Sequence, residues 1–351
     1  MPKIRVLVVD DAVVMRRLIA NVLESDPELE LAGVAANGRL ALARIPQVNP
    51  DVITLDVEMP EMNGIEAVTE IRKLYPKLPV IMFSTMTQRG AVATLDALAR
   101  GATDYVTKPA NVGSISEGIG RLQGELIPKI KAYAYGVSRL PAAAPPLALH
   151  PASPAHPPAK VSIVAIGSST GGPNALHGII PALPGDLGVP VVIVQHMPAV
   201  FTELLAGRLN EVSQLRVHEA RDGQPVEAGH VYIAPGGRHM ILASENGKLR
   251  ARLNDDPPEN SCRPAVDVLF RSVSRTCGAG TLGVVLTGMG QDGMRGAQWI
   301  REAGGQVLAQ DRDSSVVWGM PGAVAEAGLA DELVALSGVA ATVIRRTKGA
   351  R

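Results

Sequence analysis

The sequence predicts two α/β domains in tandem: a doubly wound five-stranded parallel sheet first, then a larger C-terminal α/β domain with a mostly parallel sheet. Three observations predict this. Short apolar runs alternate with amphipathic stretches over the first 130 residues or so, which is the rhythm of βα units. The same rhythm resumes after residue 160. Between the two, residues 139–160 hold seven prolines and seven alanines in 22 residues, a density that no packed element tolerates. A length of 351 residues also suits two domains better than one.

In the first half the strand runs are 4–9, 31–35, 52–55, 80–83 and 105–107, with helical patterns such as 13–23 and 64–74 between them. In the second half they are 162–166, 191–195, 231–234, 282–287 and 306–309. Residues 240–253, centred on Gly247, read as a β-hairpin, so the second sheet is expected to be mixed. The 139–160 stretch reads as a semi-extended linker, and His150 and His156 within it as solvated spacer residues.

Lys plus Arg and Asp plus Glu both total 34. Cut at residue 138, the chain has 15 basic and 16 acidic residues before the cut, leaving 34 − 15 = 19 and 34 − 16 = 18 after it. Neither half has the basic excess of a nucleic-acid binder. Aromatics are 3%, too few for base-stacking platforms. Apolar runs such as 189–194 are too short to span a bilayer, and residues 1–11 lack the layout of a secretory leader. Cys262 and Cys277 are the only cysteines, which excludes a disulfide framework and a structural zinc site. A reduced, cytoplasmic protein is expected.

Ligands of open α/β sheets gather at the carboxyl ends of strands. In the first half Asp10 and Asp11 end one strand, Asp56 another, Ser84 and Thr85 a third and Lys108 a fourth. One strand-end acid is ordinary for a solvated loop or a helix cap. Three converging carboxylates repel one another unless a cation joins them, and Mg²⁺ suits oxygen ligands. A Lys and a hydroxyl nearby would receive a phosphoryl group, and a carboxylate can accept one covalently. The segments LVVDDAVVMRRLI, DVITLDVEMPEMNGIEAV and DYVTKP resemble the receiver domain of two-component response regulators over residues 1 to about 125. The resemblance implies that Asp56 is the phosphoacceptor and that Asp10, Asp11, Asp56 and the backbone carbonyl of Glu58 hold Mg²⁺. It further implies that Ser84 and Lys108 contact the phosphoryl group. Tyr105 matches an aromatic switch position, and a half-buried core tyrosine serves equally well.

In the second half, IVAIGSSTGGPNAL runs a buried strand into glycines and a helix, and Gly167–Gly171 fits G-x-S-x-G. That turn exposes Ser169 at a helix N-terminus, where amides can hold an oxyanion; a phosphate-binding or merely tight loop fits the motif as well. His196 follows a strand directly in VVIVQHMP, and Asp292 follows another in GVVLTGMGQDGM. Together they supply a nucleophile, a base and an acid that fixes the imidazole tautomer. Taken singly, a strand-end His is a common structural residue and Asp-Gly a common turn pair. Their chain order differs from that of the α/β-hydrolases. Gly288, Gly290 and Gly293 also spell G-x-G-x-x-G, with Asp311 ending the next strand. That is a dinucleotide fingerprint, opposed by Asp292 beside the would-be pyrophosphate and by its late place in the domain.

The segments AIGSSTGGPNAL, QHMPAVFTELLAGRLN, GHVYIAPGGRHM, RPAVDVLFRSV and LTGMGQDGM resemble the catalytic domain of the chemotaxis protein-glutamate methylesterases. The whole chain then resembles a response regulator with an esterase as output. The resemblance implies Ser169 as nucleophile, His196 as base and Asp292 as orienting acid, with the amide near Met289 and Thr170 at the oxyanion. Methylated chemoreceptors would be the substrate, a histidine kinase the phosphodonor, and the esterase chemistry would need no cofactor. Glutamine deamidation is implied as a second reaction. Two residues depart from the pattern: Gln291 stands where many relatives have Asn, and Cys262 where some have His. Both cysteines otherwise read as buried thiols, and His239 as a site-lining or loop-capping residue. The alternative is a receiver-regulated, non-catalytic module that docks on receptors; a serine-directed fluorophosphonate would separate the two.

Overall fold

The computed structural model describes residues 2–109, 115–135 and 159–348. The predicted spacer, with His150 and His156, falls almost wholly outside them. The chain divides into two compact units, Met1–Leu140 and Pro141–Arg351. Among the described residues no helix is long and apolar enough to cross a membrane.

The first unit alternates β1 (Ile4–Val9), α1 (Val13–Glu24), β2 (Leu29–Ala35), α2 (Gly38–Val48), β3 (Val52–Asp56), α3 (Gly64–Leu74), β4 (Val80–Ser84), α4 (Gln88–Ala99), β5 (Asp104–Thr107) and α5 (Ile115–Tyr135). Its five strands lie in the order β2-β1-β3-β4-β5, all parallel, as the sequence predicts. Helices cover both faces, which is why the central strands β3 and β4 are buried throughout and nearly continuously apolar. On one face Val6, Val8, Ile81, Phe83 and Val106 pack with Ile19 and Leu23 of α1 and Leu126 and Ile130 of α5. Each such side chain contributes about 1.5–3 kcal/mol of burial. The direction of travel reverses between β1 and β3, so Asp10 and Asp56 end up facing one crevice. A capping box of Asn63 and Glu66 starts α3. Gly64 lets that helix end press against Asp56, because a Cβ there would meet the Asp56 carbonyl.

The second unit contains β6 (Ile163–Ser168), α6 (Gly172–Ile179), β7 (Val191–Gln195), α7 (Ala199–Val212), β8 (Arg216–Glu219), β9 (His230–Ile233), β10 (His239–Glu245), β11 (Lys248–Asn254), α8 (Val266–Cys277), β12 (Thr281–Val285), α9 (Met294–Glu302), β13 (Gln306–Gln310), α10 (Met320–Glu326), β14 (Glu332–Val334) and α11 (Leu336–Lys348). Seven strands form one sheet in the order β14-β13-β12-β6-β7-β9-β8. All its pairings are parallel, so the expectation of a mixed sheet is corrected. The hairpin β10–β11 exists but stands apart as a two-stranded sheet. It is tied to α8 instead. Met240, Leu242 and Ala251 share a core with Leu269, Phe270 and Val273. The outer edge of β10 is satisfied by α8 hydroxyls: Leu242 N–H donates to Ser272 Oγ at 3.0 Å, and Thr276 Oγ1 donates to the Leu242 carbonyl at 3.2 Å. The short strands β8 and β14 close the two ends of the large sheet. Here the direction of travel reverses between β6 and β12, and β7 adjoins β6 on the other side.

Candidate functional site

In the first unit the carboxylate oxygens of Asp10, Asp11 and Asp56 lie within 4.8 Å of one another. Asp10 and Asp56 are buried and Asp11 is exposed. Lys108, just past β5, reaches Asp56 Oδ2 at 2.7 Å and Asp10 Oδ2 at 3.0 Å. One ammonium thus serves two buried acids. Burial, opposed by Lys108 and aided by Asp10, pushes the Asp56 carboxyl up to about 6. Burial opposes the Lys108 ammonium, but its two carboxylate partners outweigh that and raise it. An unbalanced cluster of oxygen donors open on one side fits a hard divalent cation. Glu58 sends its side chain to Arg89 Nε at 3.0 Å. The hydroxyl of Ser84, at the end of β4, is fully buried: it donates to the Gly90 carbonyl at 3.2 Å and accepts from Thr94 at 2.6 Å. It makes no hydrogen bond to Asp56. Tyr105 is buried in β5.

In the second unit Ser169 directly follows β6, His196 follows β7 and Asp292 closes the loop after β12. Three adjacent parallel strands therefore deliver the three residues to one sheet edge. The turn after β6 needs its glycines: Gly171 has φ +77, and a Cβ on Gly172 would strike Gln195 Oε1. Gln195 is 1% exposed and ties the loops together. Its Oε1 accepts from Ser168 Oγ at 2.7 Å, and its Nε2 donates to the carbonyls of Ser169 at 3.0 Å and His196 at 3.3 Å.

His196 Nε2 lies 2.8 Å from Asp292 Oδ2. A carboxylate only accepts, so Nε2 carries the proton and Nδ1 holds the lone pair of the neutral ring. Nδ1 faces the sulfur of Cys262 at 3.5 Å. Burial would lower the imidazole; the Asp292 bond and then the Cys262 sulfur outweigh it and raise His196 to about 9. Asp292 is correspondingly held below the usual carboxylate range against its burial. Ser169 is half-buried, and its hydroxyl has no protein partner among the described residues. The amides of Thr170 and Met289 donate to no backbone carbonyl among the described residues.

Several partners here escaped the sequence reading. Asp292 Oδ1 accepts from Asn260 Nδ2 at 2.9 Å and from the amides of Asp267 at 2.9 Å and Gly293 at 3.0 Å, while Oδ2 also accepts from Val266 N–H at 2.7 Å. These groups come from loops and a helix start whose signal in sequence is weak. Cys262 is corrected from a buried core thiol to a half-buried contact of the imidazole. Cys277 is half-buried too, and desolvation raises its thiol to about 11. His239 is fully buried, accepts from Ala265 N–H at 3.2 Å and donates to the Pro257 carbonyl at 3.1 Å. It clips the loop that carries Asn260 and Cys262.

The dinucleotide fingerprint is overturned at the same place. The amides at the start of α9, where a pyrophosphate would sit, are taken by the protein's own carboxylates: Gly293 N–H by Asp267 and Asp292, and Gly296 N–H by Asp267. Asp311 Oδ1 is occupied by Ser314.

The two units define a class: a response regulator whose second unit is an α/β domain with Ser169, His196 and Asp292 at its strand ends. Residues 164–343 match the CheB methylesterase family, and residues 6–119 match the response regulator receiver domain. A protein of Trichodesmium erythraeum named protein-glutamate methylesterase/protein-glutamine glutaminase is 53% identical over 350 residues, covering 99% of each chain. A protein of the same name from a Nocardioides species is 51% identical over 352 residues, covering 99% of this chain and 96% of that one. The crystal structure of the Thermotoga maritima CheB methylesterase catalytic domain is 45% identical with a TM-score of 0.52, covering 53% of this chain and 98% of that one. The chain belongs to the CheB methylesterase family.

Proposed function

We propose that this chain is a phosphorylation-activated protein-glutamate methylesterase acting on chemoreceptors in the cytoplasm, with protein-glutamine glutaminase activity as the same chemistry on an amide. Residues 1–125 form the receiver, 126–160 a helix end and spacer, and 161–348 the catalytic domain. The observation that carries the reading is the state of His196. Its Nε2 is committed to Asp292 at 2.8 Å, so Nδ1 is the basic nitrogen on the strand edge that Ser169 shares. Ser169 Oγ attacks the γ-ester carbonyl as His196 Nδ1 takes its proton. The amides of Thr170 and Met289, without backbone acceptors among the described residues, receive the oxyanion. His196 then protonates the departing methoxide, or the amine when the substrate is an amide. Water, activated by the same nitrogen, hydrolyses the glutamyl ester of Ser169 and restores the hydroxyl.

Asp56 is the phosphoacceptor and a histidine kinase the donor. Lys108 pairs with the phosphoryl oxygens, and Ser84 joins them once its hydroxyl turns from the Gly90 carbonyl. Asp10, Asp11, Asp56 and the Glu58 carbonyl would hold Mg²⁺, which when bound neutralises charge on the incoming phosphoryl group. Methanol release from a methylated receptor by the full chain tests the reading. The wild type is expected to release methanol, faster after treatment with an acyl phosphate and Mg²⁺, and Ser169→Ala to release none. Equal rates for wild type and Ser169→Ala would overturn it.

A further inference from the structure

Asp267 has no part in the reaction as described, yet it is a carboxylate only 1% exposed, set beside Asp292, itself 2% exposed. The two acids share two donors. Asn260 Nδ2 donates to Asp267 Oδ2 at 2.8 Å and to Asp292 Oδ1 at 2.9 Å. Gly293 N–H donates to Asp267 Oδ1 at 2.9 Å and to Asp292 Oδ1 at 3.0 Å. Asp267 Oδ1 also accepts from Gly296 N–H at 2.6 Å and so caps α9, whose own N-cap, Gly293, has no side chain to do it. Two like charges buried together are costly unless their hydrogen bonds compensate and the arrangement fixes something.

What it fixes is the rotamer of Asp292. The loop bearing Asn260 is itself anchored: His239 clips Pro257 to Ala265, and Arg271 forks onto Glu259 at 3.0 Å on both nitrogens. Asn260 adopts φ +53, a left-handed conformation that places its amide between the two acids. We propose that Asn260 and Asp267 are positioning residues for the hydrolysis. Asp267 anchors the Asn260 amide, which together with the Gly293 N–H holds Asp292 with Oδ2 on His196 Nε2 and so leaves Nδ1, beside Cys262, as the basic nitrogen. The inference rests on the reading of Ser169, His196 and Asp292 given above.

The electrostatics agree. Burial and then the Asp292 charge raise Asp267, but both its oxygens accept N–H bonds, from Asn260, Gly293 and Gly296, and these favour the carboxylate that sets a second negative charge behind the imidazole. The titratable groups touching His196 are Asp292 and Cys262. Asp267 stands behind Asp292, and Glu259 is neutralised by Arg271. A negative neighbour stabilises the imidazolium. Removing it therefore lowers the pKa of the base and moves the acidic limb of the rate profile to lower pH.

The test is steady-state methanol release from a methylated receptor by the full chain, across pH, for Asp267→Asn, Asn260→Gly and the double variant. Glycine keeps the positive φ and deletes only the amide. Each single variant is expected to lose tenfold or more in kcat with KM within twofold. Asp267→Asn should also move the acidic limb down by roughly half a pH unit. The double variant should fall no further than the worse single one, because the two act as a unit. Unchanged kcat in the two single variants, or losses that multiply in the double with no shift in the limb, would overturn the proposal. Should Asp267→Asn fail to fold, Asn260→Gly decides by its kcat and KM. Wild type and Ser169→Ala are run alongside. If those two match each other, the underlying assignment has failed instead, and the outcomes are distinguishable.

Discussion

Replacing Asp292 by Asn probes the structure at its most specific point. Asp292, with the Cys262 sulfur after it, lifts His196 from 6.5 to about 9 against its burial. That lift corresponds to about 3 kcal/mol of preference for the imidazolium, the form created when the base takes the serine proton. Deleting the charge withdraws most of it, which at 1.4 kcal/mol per decade is about a hundredfold in kcat. A second cost adds to this. The carboxylate accepts N–H groups of Asn260, Val266, Asp267 and Gly293 as well as His196. An amide must point its own NH₂ at one of them, or turn its oxygen away from Nε2 and favour the wrong tautomer. In a serine-protease triad that error costs about 10⁴ in kcat. The expected loss therefore lies between about 10²- and 10⁴-fold, with the acidic limb of kcat/KM displaced to lower pH. Methanol release from a methylated receptor, followed across pH, measures both. A loss under about tenfold with an unmoved limb would refute the reasoning.

Other outcomes follow from the same geometry. His196 binds its proton more tightly folded than unfolded, so Asp292 and Cys262 stabilise the fold below pH 6.5 by an amount that fades as pH rises towards 9; thermal melts should show this decline in the wild type and a flatter profile in Asp292→Asn. Asp56→Asn should block phosphorylation by an acyl phosphate and leave basal methanol release intact, read by phosphate-affinity electrophoresis and the ester assay; an equally phosphorylated variant would move the acceptor elsewhere. Gly236→Ala should destabilise the catalytic unit by about 1–3 kcal/mol, because a Cβ there meets the backbone of Pro198 and Ala199 just past His196; an unchanged melting temperature would refute the close approach.

The fold was legible wherever a strand is buried on both faces. Residues 4–9, apolar but for Arg5, and 191–195, apolar up to Gln195, become β1 and β7 with the predicted bounds. Strands β8 and β14 were missed because an edge strand of three or four residues buries too little to carry a pattern. The hairpin was read, but not that hydroxyls of α8 would hold it off the main sheet. The placement of Ser169, His196 and Asp292 at one sheet edge was legible because the first two directly follow buried parallel strands and the third lies in the loop after another. Asn260, Asp267 and Gln195 were not. Their roles depend on loop conformation and rotamer, such as the positive φ of Asn260, and no residue spacing encodes those. The contact of Cys262 with His196 Nδ1 was hidden for the same reason.

The central claim is that Ser169, driven by His196 and Asp292, hydrolyses a protein glutamyl methyl ester under control of Asp56. It is tested most directly by trapping the intermediate. Methylated receptor mixed with the full chain, pretreated with acyl phosphate and Mg²⁺, is quenched in acid within a turnover and analysed by peptide mass spectrometry. The account predicts a receptor glutamyl group esterified to Ser169, more abundant with the acyl phosphate than without it, and absent from Ser169→Ala. An acyl group on another residue such as Cys262, or methanol release with no covalent intermediate in Ser169→Ala and wild type alike, would contradict it.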